Sequence, residues 1–371
     1  MKNWLLIGLF LLFIFGISIA NTFKQDQAFS EFENRPLAEK PTLTFQTLKD
    51  GRFTADFETY MIDQFFAKTF WTGVKAQTEQ AIGKRENNGI YFGKQQMLLE
   101  KPAEITDQLL KNIEAVNAFQ EQHPNANVTV MLVPTAIDLY PENLPRYSNN
   151  GKHQEIMQTT ENKLDPKMTL FDPFNLLKKH KDETIFFRTD HHWTALGAFY
   201  TYDEIIKSLD IQPFSKDDFH IETVSDEFYG SFYAKGNDLT IPADTIEQFE
   251  LKNTAKFEVK RDAEPLLKGL YEPSYLEKRD QYSYFLGGNY ANTVITSDNK
   301  NGKKLLLFKD SFAHIFVPFL ANHYEEIHML DLRYYNISAA DYMDEHQLTD
   351  VLVLYNSPNF AKDASIYKIK Y

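Results

Sequence analysis

Leu305-Leu306-Leu307-Phe308-Lys309-Asp310-Ser311-Phe312 is an apolar run that turns polar for three residues and then becomes apolar again. A run without alternation reads as a strand buried on both faces, and the stretch from Phe312 to Asn322 reads as the helix it feeds. The figure recurs along the chain. Val128 to Val133 is stopped by Pro134, Thr184 to Phe187 leads to Asp190, Ile327 to Leu330 leads to Asp331, and Val351 to Leu354 leads to Asn356. Helical periodicity, as at Leu109, Ile113, Val116 and Phe119, separates such runs, which predicts an α/β fold with a mostly parallel sheet covered on both sides. Ligands of an open sheet of this kind bind beyond the carboxyl ends of its strands, so the polar ends of these runs are expected to converge.

Outside the runs, residues 24–52 carry Asn34, Arg35, Pro36 and Pro41 and read as an irregular connector. Phe53, Phe57, Tyr60, Met61, Phe65, Trp71, Val74 and Ile82 fit one or two amphipathic helices, whose apolar faces are expected to pack. Residues 211–290, rich in Tyr, Phe and Asp, read as an irregular insertion that shapes or covers the polar edge. At the N-terminus, Lys2 precedes an apolar run from Trp4 to Ile17, extended by Ser18, Ile19 and Ala20 and closed by Asn21, Thr22 and Lys24. Its length lies near the lower limit of roughly 17–25 residues for a spanning helix. Two readings follow: residues 1–23 form an uncleaved signal anchor, or a signal peptide is cut after Ala20. Both put residues 24–371 outside the cytoplasm as one folded body, where ATP, NAD and acetyl-CoA are scarce, and no cofactor is expected.

Composition removes further classes. Without cysteine there is no disulfide scaffold, cysteine nucleophile, zinc ribbon or iron–sulfur cluster. With 39 Lys+Arg against 52 Asp+Glu, a net charge of -13 repels phosphate backbones and makes nucleic acid a poor partner. The 31 Phe, 20 Tyr and 3 Trp are expected in the core first and as sugar-stacking platforms second.

Two places carry chemistry. Asp190-His191-His192-Trp193 lies between a predicted strand and a helix that Thr194 could cap, running to about Leu209. An Asp two residues from a His can accept from Nδ1–H and leave Nε2 free as a base. The same residues could instead hold a metal, since imidazole and carboxylate suit zinc or iron, or form a structural polar turn. Ser311 sits at a strand-to-helix step, where a hydroxyl projects above the sheet and free amides of the helix start could stabilise an oxyanion. Taken alone, Asp310-Ser311 is also a common helix cap. Together the two places supply nucleophile, base and orienting carboxylate.

These motifs give the chain a likeness. It resembles the DHHW family and, more broadly, the AlgX/AlgJ-like alginate O-acetylation proteins, which are similar to SGNH hydrolases. The likeness rests on Glu33-Asn34-Arg35-Pro36-Leu37-Ala38, Asp63-Gln64-Phe65, Gly89 to Leu99, Val133-Pro134-Thr135, Asp190-His191-His192-Trp193-Thr194 and Lys309-Asp310-Ser311-Phe312. It implies an SGNH-hydrolase-like (flavodoxin-like) three-layer α/β/α sandwich and a triad of Ser311, His192 and Asp190. Alginate relatives usually read Asp-Thr-His-Trp and Gly-Asp-Ser-Phe, so His191 and Lys309 depart from them and fit the DHHW branch. AlgX-type proteins can add a C-terminal carbohydrate-binding module, whereas here the sheet is expected to reach Asn356, about fifteen residues from the last one. By the SGNH analogy Asn289, in Gly287-Gly288-Asn289, could donate to the oxyanion, with an ordinary turn as the other reading.

Arg333 follows a predicted strand and could neutralise charge or bind an acidic sugar, or form a surface ion pair. Asn356 could line the cleft, and His314 is expected to pack or to make a supporting bond. The resulting expectation is an extracytoplasmic O-acetyltransferase acting on a cell-surface polysaccharide, with a multipass membrane acyltransferase as acetyl donor partner. A secreted carbohydrate O-acetyl esterase and a non-catalytic polysaccharide-binding or assembly protein are the alternatives.

Overall fold

In the computed structural model, which describes residues 2–209, 211–336 and 338–371, Leu305 and Leu307 pack on one face of a sheet and Leu306 and Phe308 on the other. Fully burying a side chain of this kind contributes about 1.5–3 kcal/mol, so this strand has no face it can present to water. The eight-stranded sheet runs, edge to edge, Leu267–Lys268, Phe257–Arg261, Asn292–Ser297, Glu326–Leu330, Lys304–Lys309, Asp350–Asn356, Asn127–Val133 and Thr169–Phe171. From Glu326–Leu330 to Thr169–Phe171 every pairing is parallel. The other three pairings are antiparallel.

One face is covered by helices Ala195–Ser208 and Ala313–Ala321, through Ala198, Tyr202, Ile205, Phe316 and Phe319. The opposite face is covered by Gln108–Gln122, Ala339–His346 and Ser357–Lys362, through Ile113, Val116, Phe119, Tyr342 and Phe360. The expected α/β/α layering and mostly parallel sheet are therefore present.

Three expectations change. The run from Thr184 to Phe187 is buried from Ile185 onward but joins no sheet: Phe186 makes an isolated bridge to Trp193, Phe187 N–H bonds His192 O, and Thr194 N–H bonds Ile185 O. An apolar run signals burial, and here the backbone groups are satisfied in a tight return rather than in a ladder. The segment 211–290 is not irregular throughout. It holds an antiparallel ribbon, Phe219–Phe228 with Asp244–Leu251, and the strand Phe257–Arg261, whose alternate residues Phe257, Val259 and Arg261 are buried.

The chain divides into two compact units, residues 1–87 with 237–240 and residues 88–236 with 241–371. The first contains the apolar helix Lys2–Phe23, of which Trp4–Phe23 is a 20-residue stretch long and apolar enough to cross a bilayer. Its amphipathic stretch forms two helices, Arg52–Asp63 and Lys68–Ala81. The third change lies here, because Phe57, Met61, Val74 and Ile82 stay exposed instead of packing. Two of the motifs quoted above meet within this unit. Asp63 takes Arg35 Nη1 at 2.9 Å and Nη2 at 2.5 Å, and Gln64 bonds the backbone of Gln27 and Ala38.

Candidate active site

Asp190 to Trp193 form the turn between the buried Ile185–Phe187 run and the helix Ala195–Ser208. Thr194 caps that helix, accepting from Gly197 N–H while its hydroxyl donates to Thr184 O at 2.6 Å. Gly197 allows the close approach, since a Cβ there would stand 2.5 Å from Ile185 O. Trp193 is fully buried and its Nε1–H donates to Phe312 O at 3.0 Å, which ties the histidine turn to the residue after Ser311. The Gly89 to Leu99 segment braces the turn from another side through Leu98 N–H to Arg188 O.

The three residues of the expected triad come together. His192 Nδ1 is 2.5 Å from Asp190 Oδ1, and His192 Nε2 is 2.7 Å from Ser311 Oγ. With the carboxylate accepting from Nδ1–H, Nε2 is the basic nitrogen and faces the hydroxyl. Burial opposes ionisation of Asp190, yet the His191 and His192 imidazoles hold its carboxyl well below the usual range. Burial, reinforced by the neighbouring His191, pushes His192 down to about 4, against the pull of Asp190.

Asp190, His191 and His192 also present ligand atoms within 4.8 Å of one another, as a metal site would. Both ring nitrogens of His192 are already engaged, one by Asp190 and one by Ser311, which is the pattern of a proton relay.

Asp310 fixes the Ser311 turn. Its Oδ1 accepts Phe312 N–H, while Oδ2 accepts Asn356 N–H, Asn356 Nδ2 and Asn359 Nδ2. Asn356 therefore ends its strand by holding Asp310 and capping the Ser357–Lys362 helix. The amides expected to be free at the next helix start are occupied: Phe312 N–H bonds Asp310 Oδ1, Ala313 N–H bonds Asp310 O, and His314 N–H bonds Ser311 O. Among the described residues, the Ser311 amide itself meets no acceptor.

Asn289 is exposed, and its Oδ1 accepts from Lys309 Nζ and Arg333 Nη2 at 3.3 and 3.2 Å. Its NH2 is left as the donating end. Arg333 also grips Asp331, Nε on Oδ1 at 2.8 Å and Nη2 on Oδ2 at 2.6 Å. His314 is buried and accepts from Lys309 Nζ at 2.9 Å, a supporting bond.

Several residues went unread in the sequence. Tyr282 stacks on His192 with ring centres 3.6 Å apart and planes 5° from parallel, and its hydroxyl donates to Ser311 O at 2.9 Å. Asp244 accepts from Arg188 N–H, Thr189 N–H and the Thr189 hydroxyl, anchoring the approach to Asp190. Ser231 N–H donates to Asp190 Oδ2 at 2.7 Å. The preceding Gly230 lies so close that a Cβ would overlap the Asp190 side chain. An isolated glycine beside aromatics is a signal of close backbone approach; Tyr282 and Asp244 had no local signal.

With this geometry in view, comparisons with known proteins become informative. Over 173 residues the chain is 25% identical to the probable alginate O-acetylase AlgJ of Pseudomonas fluorescens, and the match spans 44% of each chain. The chain thus covers less than half the length of that relative. A DHHW family protein of Eubacterium siraeum superposes with TM-score 0.68 at 25% identity, covering 76% of this chain and 95% of that one. PatB1 of Bacillus cereus superposes with TM-score 0.65 at 20% identity over 74% and 97%, a likeness of fold. Residues 101–330 match the family described as DHHW protein, more than half of the chain, and the chain belongs to that family.

Proposed function

We propose that this protein transfers an acyl group, acetyl in the first instance, to hydroxyls of an extracytoplasmic polysaccharide through a serine acyl-enzyme. The observation that carries the reading is the hydroxyl–imidazole–carboxylate alignment, with Nε2 2.7 Å from Oγ and Nδ1 2.5 Å from Oδ1. The name of the Pseudomonas fluorescens relative supports acetyl as the group and a polysaccharide as the acceptor. In the first half-reaction Ser311 Oγ bonds the carbonyl carbon of a donor ester and His192 Nε2 takes the hydroxyl proton. The tetrahedral intermediate then breaks its bond to the leaving alcohol, which receives that proton. In the second, a sugar hydroxyl gives its proton to His192 and attacks the acyl-serine, and collapse of the intermediate expels Ser311 Oγ, which takes that proton back from His192. The Ser311 amide and the Asn289 NH2 are the donors we assign to the oxyanion. Asp190 holds the imidazole throughout.

The stretch Trp4–Phe23 would anchor the chain, with residues 24–371 outside the cytoplasm and the catalytic body in residues 88–236 and 241–371. The one such stretch among the described residues offers no route for an acetyl group across the bilayer, so the donor side calls for a membrane acyltransferase of several spans. Exposure to a short pulse of a small acetyl ester, followed by mass spectrometry, is expected to show one acetyl on Ser311. Added glycan should then discharge it faster than water does. An acyl-serine discharged by water alone identifies an esterase, and no adduct at Ser311 under any pulse removes the mechanism.

The pH dependence has a defined sign. Protonated His192 cannot accept the serine proton, so kcat/KM falls as pH drops through the His192 pKa and is level above it until another group titrates. Burial and His191 push that pKa down, so the acid limb is expected well below the ordinary imidazole value of about 6.5. Tyr282→Phe keeps the stacked ring and loses the hydroxyl that bonds Ser311 O and the Ile315 backbone, and it is expected to lower kcat while leaving the limb in place. An acid limb at or above pH 7 in the parent would contradict the assignment of His192 as the base.

A further inference from the structure

A cavity of about 350 Å³ opens beside the candidate triad, its wall including His191 and Phe312, the sequence neighbours of His192 and Ser311. Wider hollows of about 580 and 670 Å³ lie elsewhere on the same unit and include neither the triad nor those neighbours. The smaller cavity is distinguished by charge. In a chain of net charge -13, its lining holds Lys101, Lys152, Lys235 and Lys362 against the single carboxylate Glu100. Lys235 pairs with Glu100 at 2.9 Å and Lys152 with Glu155 at 3.1 Å. Among the described residues Lys101 and Lys362 make no ion pair. Ammonium groups gathered around one recess repel each other, and low-dielectric walls concentrate their field toward whatever enters.

We propose that this cavity is a subsite for an anionic group, a carboxylate or a phosphate carried by the acceptor glycan near the hydroxyl that is acylated. The volume lies at the lower end of the roughly 300–1,000 Å³ of small-molecule sites, enough for a sugar unit or two. Lys101 and Lys362 supply the uncompensated charge, while Pro102 and Pro358, both partly exposed, offer an apolar surface to a ring. The anion seats the acceptor with a hydroxyl over the acyl-serine and takes no part in bond making.

The inference rests on the acyl-transfer reading, so its test separates the two. Full-length protein in detergent, as parent and as the Lys101→Gln/Lys362→Gln double variant, is offered a neutral oligosaccharide, an oligouronate and a phosphodiester-linked glycan. The parent is expected to bind at least one anionic glycan, by calorimetry, about tenfold more tightly than the neutral one, with an affinity that falls as salt rises. The double variant should lose that advantage, and its KM for the same acceptor should rise about tenfold. Turnover of 4-nitrophenyl acetate, which needs no acceptor, should not change. Whichever of the two anionic glycans is preferred identifies the carboxylate or the phosphate. Equal binding of neutral and anionic glycans by the parent, or unchanged binding in the variant, overturns the subsite. Failure to turn over 4-nitrophenyl acetate in the parent overturns the acyl-transfer reading and leaves the binding result to stand or fall by itself.

Discussion

Replacing Ser311 by alanine is expected to lower turnover of a small acetyl ester by roughly 10⁴–10⁶-fold with no change in fold. Among the described residues the Oγ has one hydrogen-bond partner, His192 Nε2, so its removal costs little stability, and circular dichroism and melting temperature should match the parent. His192→Ala should lose activity to a similar degree, and the double variant little more than either single one, because nucleophile and base act in one step. A merely structural serine would not give that non-additive pattern. Parent-like turnover in Ser311→Ala would end the acyl-enzyme reading.

What the sequence could convey follows from how each feature encodes itself. Buried parallel strands are continuous apolar runs, so Lys304–Lys309, Glu326–Leu330, Asp350–Asn356 and Asn127–Val133 were legible with their polar ends. The same rule misread Thr184 to Phe187, because apolarity reports burial and says nothing about where the backbone bonds go. Antiparallel strands such as Phe257–Arg261 alternate, and a segment read for composition hid that alternation. Of the candidate site, Asp190 and His192 were legible because they are two residues apart in a turn, and Ser311 because it follows a strand. Tyr282, Asp244 and Gly230 contribute by contacts across 29, 55 and 41 residues, to which no local pattern corresponds. Among the quoted motifs, Arg35 and Asp63 gained a physical meaning only as partners in one ion pair.

The surroundings of the Lys309 ammonium set the largest stability effect expected here. The side chain is 1% exposed and its Nζ lies 2.9 Å from Asp331 Oδ2, itself fully buried. Burial lowers the lysine pKa against the pull of Asp331, and burial likewise opposes ionisation of Asp331, which Arg333 and Lys309 nevertheless hold below its usual value. Asp331→Ala leaves two cations facing a hole, with Lys309 bonded only to the neutral acceptors His314 Nε2 and Asn289 Oδ1. Stranding a buried charge costs about 3–5 kcal/mol, a fall in melting temperature on the order of 10 °C.

The sign with pH distinguishes this cause from a packing loss. In Asp331→Ala the unpaired lysine has a depressed folded-state pKa, so the deficit is greatest while Lys309 must stay charged and shrinks as pH rises through that value. A cavity alone would leave the deficit flat. Lys309→Met/Asp331→Leu removes both charges together and should recover most of the stability, since a buried pair replaced by apolar groups is often neutral. An Asp331→Ala protein within about 1 kcal/mol of the parent at pH 7 would mean that Asn289 and His314 suffice to carry the ammonium. The double variant also separates support from chemistry. If it folds like the parent and hydrolyses acetyl esters at the parental rate, the ammonium serves to hold the strand end carrying Asp310. If it folds but loses kcat at unchanged KM, the charge beside Ser311 also acts on the transition state.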